Sequence, residues 1–190
     1  MENKKNVLAS DVDGIILDYA KIYTDLIEVV LNKKPEIILP GVFNLAARYG
    51  LSKDEAYRVR REIRFDEIPP TPWANDFINK ASNLADRMIF VSALDNKFYQ
   101  ERCSNLNRLF GIDKRDICCL GRSDKGRALN LFRVKFFIDD NPEHVISAQK
   151  SKIKYPYYFD NRYSDHNSNE VELRVYDVMD FAKEMEKALN

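Results

Sequence analysis

Histidine is nearly missing. The whole chain has two, His144 and His166, too few for a multi-histidine metal site and unpromising for a histidine-based triad. Any chemistry is therefore expected to run on carboxylates. Cysteine is sparse as well: Cys103, Cys118 and Cys119 are odd in number, two are adjacent, and no C-x-x-C spacing occurs. Neither a disulfide framework nor a zinc site fits, and a reducing cytoplasm is the compartment expected. Net charge is absent too. Thirty Lys and Arg against thirty Asp and Glu leave no global electrostatic footprint for a dedicated nucleic-acid or membrane-surface binder, although a local basic patch is compatible with it. No apolar run approaches the roughly 18 residues of a membrane span. The opening MENKKNVLASDVDG lacks the apolar stretch of a signal peptide, so no membrane association is expected.

What is present is a normal apolar fraction, 45% of 190 residues, enough for one core with a modest insertion. Short apolar runs alternate with helical patterns. Asn6–Ser10, Met88–Ala93, Ile117–Gly121, Lys135–Ile138 and Tyr155–Phe159 read as buried strands of a parallel sheet. Cys118 and Cys119 are expected to fill one of them. Helical spacing predicts helices over Pro72–Ala85, Phe98–Phe110, Lys125–Phe132 and Val178–Leu189. His144 is expected on the surface of a helix. Alternation of this kind predicts an open α/β sheet with crossover helices.

One interval is too long for a single crossover. About 70 residues separate the first two strands, where one helix would suffice. Helices are predicted over Tyr19–Asn32, Pro40–Tyr49 and Ser52–Arg64, the last opened by a Ser52/Glu55 capping box, and Pro69, Pro70 and Pro72 punctuate the return. Residues 18–70 therefore read as a helical insertion over the sheet's C-terminal edge.

The first strand ends in Asp11-Val12-Asp13-Gly14 and the fourth in Asp139-Asp140-Asn141-Pro142. Ligands of open parallel sheets bind beyond the carboxyl ends of the strands, so four aspartates are expected to converge there. Unpartnered, they would repel and raise one another's pKa. A hard divalent cation resolves the conflict, and Mg²⁺ suits a few carboxylates plus a substrate phosphate. Asp11 and Asp13, two apart, share a face if strand geometry persists, so one can attack an electrophile while the other transfers protons. Gly14 permits a sharp turn of the backbone above the site.

These residues resemble the motifs of the haloacid dehalogenase superfamily of phosphotransferases. Asp11-Val12-Asp13-Gly14 is similar to motif I (DxDG) and Ser92 to the hydroxyl of motif II. Lys125, in Ser123-Asp124-Lys125-Gly126, resembles the lysine of motif III, and Asp139-Asp140 resembles the acidic motif IV. All four stand in the family's order and cover residues 7 to about 141. The resemblance implies a Rossmann-like three-layer α/β sandwich with a parallel central sheet. It divides the chain into a catalytic core of 1–17 and 71–190 and a small helical type 1 cap of 18–70. It implies a Mg²⁺-dependent phosphatase acting on a small phosphomonoester. Asp11 would be the nucleophile, forming an aspartyl-phosphate, and Asp13 the general acid and then base. Ser92 would bind a phosphoryl oxygen and Lys125 would offset charge. The cation would be held by Asp11, the Asp13 backbone carbonyl and the Asp139/Asp140 pair, with Asp140 favoured as direct ligand and Asp139 either a ligand or its support. Gly14 and Ala93, beside motifs I and II, would adjoin the substrate. Two departures are mild: Ile15 stands where Thr or Val is commoner, and Ser92 where Thr is.

The layout, with Phe159-Asp160-Asn161-Arg162-Tyr163 near the end, also resembles the 5′(3′)-deoxyribonucleotidase-like branch, which implies a nucleoside 5′-monophosphate as substrate. Sugar and carboxylic-acid phosphates are the alternative esters, and a catalytically silent binding protein of the same fold is the alternative to an enzyme. Arg58, Arg60, Arg61 and Arg64 crowd one predicted helix. Arg60 and Arg64 share a face and read either as holders of a second phosphate or as a solvated face pairing with Glu55 and Glu62. Phe65 and Trp73 read either as packing or as contacts to a base.

Overall fold

The structure, a computed structural model, describes residues 6–121, 124–161 and 168–190. Ser123, Arg162, Tyr163 and His166 lie outside the described residues. Six strands form one all-parallel sheet: β1 (Val7–Asp11), β2 (Arg87–Ser92), β3 (Ile117–Cys119), β4 (Phe136–Asp139), β5 (Tyr155–Phe159) and β6 (Leu173–Val175). Their order is β3-β2-β1-β4-β5-β6. The chain therefore winds outward from β1 to β3, crosses back to β4, and winds outward again. The reversal falls between β1 and β4, where open α/β sheets form their ligand crevice.

Side-chain alternation decides what each face meets. Leu8, Phe90, Phe136 and Ile138 point to a core shared with α4 (Ala74–Leu84), α5 (Tyr99–Phe110) and α8 (Val178–Leu189), through Phe77, Leu106 and Phe181. Val7, Ala9, Val91 and Phe137 point the other way, to α6 (Lys125–Leu131) and α7 (Pro142–Lys150), through Leu129 and Ala148. By the same period of two, Asp11 and Asp139 are directed to the α6 face.

Between β1 and β2 the chain forms α1 (Tyr19–Leu31), α2 (Leu45–Arg48) and α3 (Lys53–Arg61) before α4. The Ser52/Glu55 capping box opens α3 as expected. The helix expected over Pro40–Tyr49 contracts to the four residues of α2, because Gly41 at φ 80° breaks the path and Asn44 caps the later start. The outgoing and returning ends of this excursion are tied together. Asp18 N–H donates to the Pro69 carbonyl at 2.8 Å and Thr71 N–H to the Ile16 carbonyl at 2.9 Å. Ile15 C=O accepts from Thr71 Oγ1 at 2.9 Å and Trp73 Nε1 at 2.8 Å.

β6 was not foreseen, since three residues (LRV) carry too little pattern to register. Cys118 and Cys119 are half-buried, because β3 is the sheet's edge and lacks a neighbour on one side. No described helix is long and apolar enough to cross a membrane.

Close helix packing rests on Gly126. A Cβ there would lie 2.6 Å from the Ser147 carbonyl oxygen of α7. Gly126→Ala must push α6 from α7, and we expect a loss of about 1–3 kcal/mol, read as a lower urea midpoint at unchanged m-value.

Candidate active site

β1 ends at Asp11, β4 ends at Asp139, and α6 begins at Lys125 on the face that both carboxylates address. The Lys125 ammonium donates to Asp139 Oδ2 at 2.7 Å and makes a very short contact with Asp11 Oδ1. All three side chains are essentially cut off from water, at 1%, 7% and 1% exposure for Lys125, Asp11 and Asp139. A lysine opening a helix opposes the helix dipole, and its burial disfavours the charged form. The two carboxylates outweigh burial and raise its pKa.

Asp140 is the third buried carboxylate. One oxygen from each of Asp11, Asp139 and Asp140 can lie within 4.8 Å of the others, the spacing of a shared cation. Lys125 alone cannot neutralise three charges. Burial, opposed by Lys125 and reinforced by Asp139 and Asp13, pushes Asp11 up to about 7. Burial and then Asp11 raise Asp140 well above the usual carboxylate value. Burial also disfavours ionised Asp139, but Lys125 and His144 overcome it and hold Asp139 at about 2. This hard-oxygen donor set fits Mg²⁺.

The adjacent Asp139 and Asp140 differ in their surroundings. Asp139 is occupied: besides Lys125 it accepts from Asn141 N–H at 2.8 Å, and His144 Nδ1 lies 3.1–3.2 Å from its oxygens. His144 thus turns inward from α7, contrary to the expected surface position, because the Asn141 cap starts the helix beside Asp139. Asp140 instead packs against Gly14. A Cβ on Gly14 would sit 2.7 Å from the Asp140 carboxyl carbon, and Gly14 has φ 89°, so both space and backbone call for glycine.

Asp13 stands beyond β1 with its side chain 30% exposed. Ser92 Oγ donates to Asp13 Oδ2 at 3.2 Å and accepts from Leu94 N–H at 3.1 Å. The Ser92 hydroxyl is thus spent on Asp13 and the backbone. Ala93 is exposed past β2 and takes no part in the cavity lining.

A cavity of about 370 Å³ opens over Asp13, Gly14 and Asp140. Tyr19, Tyr23, Phe43 and Trp73 supply aromatic wall, and Arg48 and Arg60 supply positive charge. Of the expected contacts Arg60 and Trp73 line it, while Arg64 and Phe65 do not. Arg64 pairs with Asp66 at 3.1 Å and Glu67 at 3.0 Å on the outside. Phe65 is buried against Phe98, ring centroids 4.6 Å apart. Nor do the arginines pair with Glu55, which is taken by Lys33 at 2.7 Å; Arg61 does pair with Glu62 at 3.3 Å.

Sequence reasoning missed Arg102 altogether. Its side chain is fully buried on α5, and Nη2 donates to both Asp13 oxygens, at 2.7 and 2.9 Å. Arg102 lies on a helix rich in polar residues (YQERCSNLNRLF), and nothing local distinguishes it from a surface arginine.

No family model and no curated protein matches the sequence. Solved structures do resemble it. A haloacid dehalogenase-like family hydrolase from Streptococcus pneumoniae superposes with TM-score 0.63 at 14% identity, over 95% of this chain and 98% of that one. A HAD family hydrolase from Deinococcus radiodurans R1, with bound phosphate and sodium, gives 0.61 at 10% identity over 97% of each chain. CbbY from Rhodobacter sphaeroides, in complex with phosphate, gives 0.58 at 14% over 92% of this chain and 95% of that one. A mutant of CbbY is also known with xylulose-(1,5)-bisphosphate, at TM-score 0.56 and 11% identity, over the same shares of the two chains. The chain has the Rossmann-like α/β fold of haloacid dehalogenase-like hydrolases.

Proposed function

We propose that this protein is a Mg²⁺-dependent phosphomonoester hydrolase working through a covalent aspartyl-phosphate. The observation that carries the reading is the buried Asp11–Lys125–Asp139 group with Asp140 beside it, at the sheet's switch point and under a cavity of substrate size. Asp11 Oδ attacks phosphorus as the ester P–O bond breaks, and Asp13 gives its proton to the departing alkoxide. Asp13 then takes a proton from water as the water oxygen attacks phosphorus. The acyl P–O bond breaks, Asp11 is regenerated and inorganic phosphate leaves. Lys125 keeps Asp11 in place and offsets negative charge on the phosphoryl oxygens. Ser92 is released from Asp13 to bind one of those oxygens. A divalent cation held by Asp11, the Asp13 carbonyl and Asp140 would neutralise the carboxylates and polarise the phosphoryl group. Asp139, saturated by Lys125, Asn141 and His144, supports that site from behind.

Residues 18–70 act as the cap that chooses the ester, and 1–17 with 71–190 as the catalytic core. Two features of the cavity favour two ester classes. The aromatic wall of Tyr19, Tyr23, Phe43 and Trp73 suits the base of a nucleoside 5′-monophosphate. Arg48 and Arg60 suit a second anionic group, as on a sugar bisphosphate of the kind bound by the CbbY mutant.

With Mg²⁺ present, the purified chain should release phosphate from p-nitrophenyl phosphate. Asp11→Asn should lower kcat by roughly 10⁴-fold or more, the scale of losing a covalent nucleophile. A panel of nucleoside monophosphates, sugar mono- and bisphosphates and phosphoglycolate then ranks the ester classes by kcat/KM. No Mg²⁺-dependent release from any ester would replace the enzyme by a binding protein, and release indifferent to Asp11→Asn would remove the nucleophile.

Stability should also depend on pH and cation together. Asp11 is raised from 3.8 to about 7 and Asp140 is raised too, so their contribution is full below about pH 4 and is lost as pH rises through 7. Asp139, held low, works in the opposite sense and loses its contribution only as pH falls toward 2. In EDTA the Tm should therefore fall between pH 5 and 7.5. Mg²⁺ should restore it at pH 7.5, by about 2.7 kcal/mol at a hundredfold excess over Kd, and by less at pH 5. An equal Mg²⁺ effect at both pH values would contradict carboxylate ligation.

A further inference from the structure

Arg102 is out of place by every local rule. It sits in the first turn and a half of α5, where the helix dipole disfavours a cation. It is wholly buried, although a guanidinium is rarely buried unless paired. It also makes poor use of its fork. Nη2 alone contacts Asp13, whereas Nε and Nη1 have no hydrogen-bond partner among the described residues. One face of the guanidinium lies 5.7 Å from the Phe65 ring centroid, and Phe65 is itself braced by Phe98. Burying a permanent charge with two unused donors is costly for folding. Simple stabilisation is thus a poor account of why it is there.

The geometry explains it through Asp13. Asp13 lies past the end of β1, on a backbone already turning at Gly14, so the strand does not fix its side chain. Two groups hold it: Ser92 Oγ touches one carboxylate oxygen, and Arg102 Nη2 spans both. Ser92 is the group required by the phosphoryl oxygen, leaving Arg102 as the constant partner. Its own position is set by Phe65 and by helix α5, with no freedom toward solvent.

We propose that Arg102 is the positioning residue of Asp13: reaching up from beneath the site, it holds the Asp13 carboxyl at the cavity mouth in the orientation that proton transfer to the leaving group and from water requires. The proposal rests on the phosphatase reading, because it assigns Arg102 a role only through Asp13. Arg102 touches neither substrate nor cation, and its effect on turnover passes entirely through one side chain.

A double-mutant cycle on p-nitrophenyl phosphate with Mg²⁺ tests it, using wild type, Arg102→Met, Asp13→Asn and the double variant. Arg102→Met should lower kcat by about 10²-fold, the order of a 1 Å misplacement, with KM changed much less. In the Asp13→Asn background the same substitution should change kcat less than about 2-fold, since nothing remains to position. Similar losses in both backgrounds would show a general structural role and overturn the proposal while leaving the phosphatase reading intact. Arg102→Lys, which keeps the charge and loses the planar group, carries the same cycle if the Met variant does not fold. A wild-type chain inactive on every ester overturns both readings together.

Discussion

Lys125 lies between Asp11 and Asp139 with almost no contact to water, and much of the molecule is organised to keep those charges there. A buried ammonium with one carboxylate is an ion pair; with two, and a third at Asp140, it leaves an excess of negative charge in a dry site. The sheet makes the excess unavoidable. Alternation along β1 and β4 sends Asp11 and Asp139 to the α6 face, and the reversal of strand order places the two strands side by side. The excess is what raises the Asp11 and Asp140 carboxyls above their usual range. It also accounts for the tolerance of a lysine at a helix start, where the dipole alone would expel it.

Around this centre the structure arranges less expensive contacts. Gly14 lets Asp140 approach the backbone of the turn, where a Cβ would displace it. The carbonyls of Ile15 and Ile16 receive Thr71 and Trp73, which closes the base of the helical excursion and holds the Trp73 ring at the cavity edge. The excursion can then carry α1, α2 and α3 over the site while its two ends stay registered to the sheet. Asp13 and Asp140 both lie beyond their strands; Asp140 packs against Gly14, and Asp13 is held by side chains of other elements.

Much of the fold is legible in the sequence. Five of the six strands, most of the helices and the Ser52/Glu55 box follow from short apolar runs, helical spacing and capping chemistry, which are local signals. β6 escaped because three residues cannot show a period. The helix expected over Pro40–Tyr49 is shorter in the structure because the conformation at Gly41 outweighs the apolar spacing. The gathering of Asp11, Asp13, Asp139 and Asp140 at one sheet edge was legible from their position at strand ends, whereas Lys125 was marked only by its resemblance to a family motif. The inward turn of His144 is not legible in the sequence, since it depends on where α7 docks. The arginine-rich helix divided in a way the helical period did not foretell: Arg60 faces the cavity and Arg64, four residues on, belongs to an external cluster after α3 has ended.

By itself the sequence determined the sheet class and the carboxylates at its C-terminal edge, because those depend on residue type and on periods of two and 3.6. Tertiary structure alone decided that Asp139 would be saturated while Asp140 stays against Gly14. It alone decided that Phe65 would back an arginine instead of lining the cavity, and that Arg102 would donate to the Asp13 carboxylate. Asp140 against Gly14, Phe65 against Arg102 and Arg102 against Asp13 join residues far apart in the chain, and burial, not local propensity, selects them. A guanidinium on a polar helix is indistinguishable from a solvated one until packing removes the water around it.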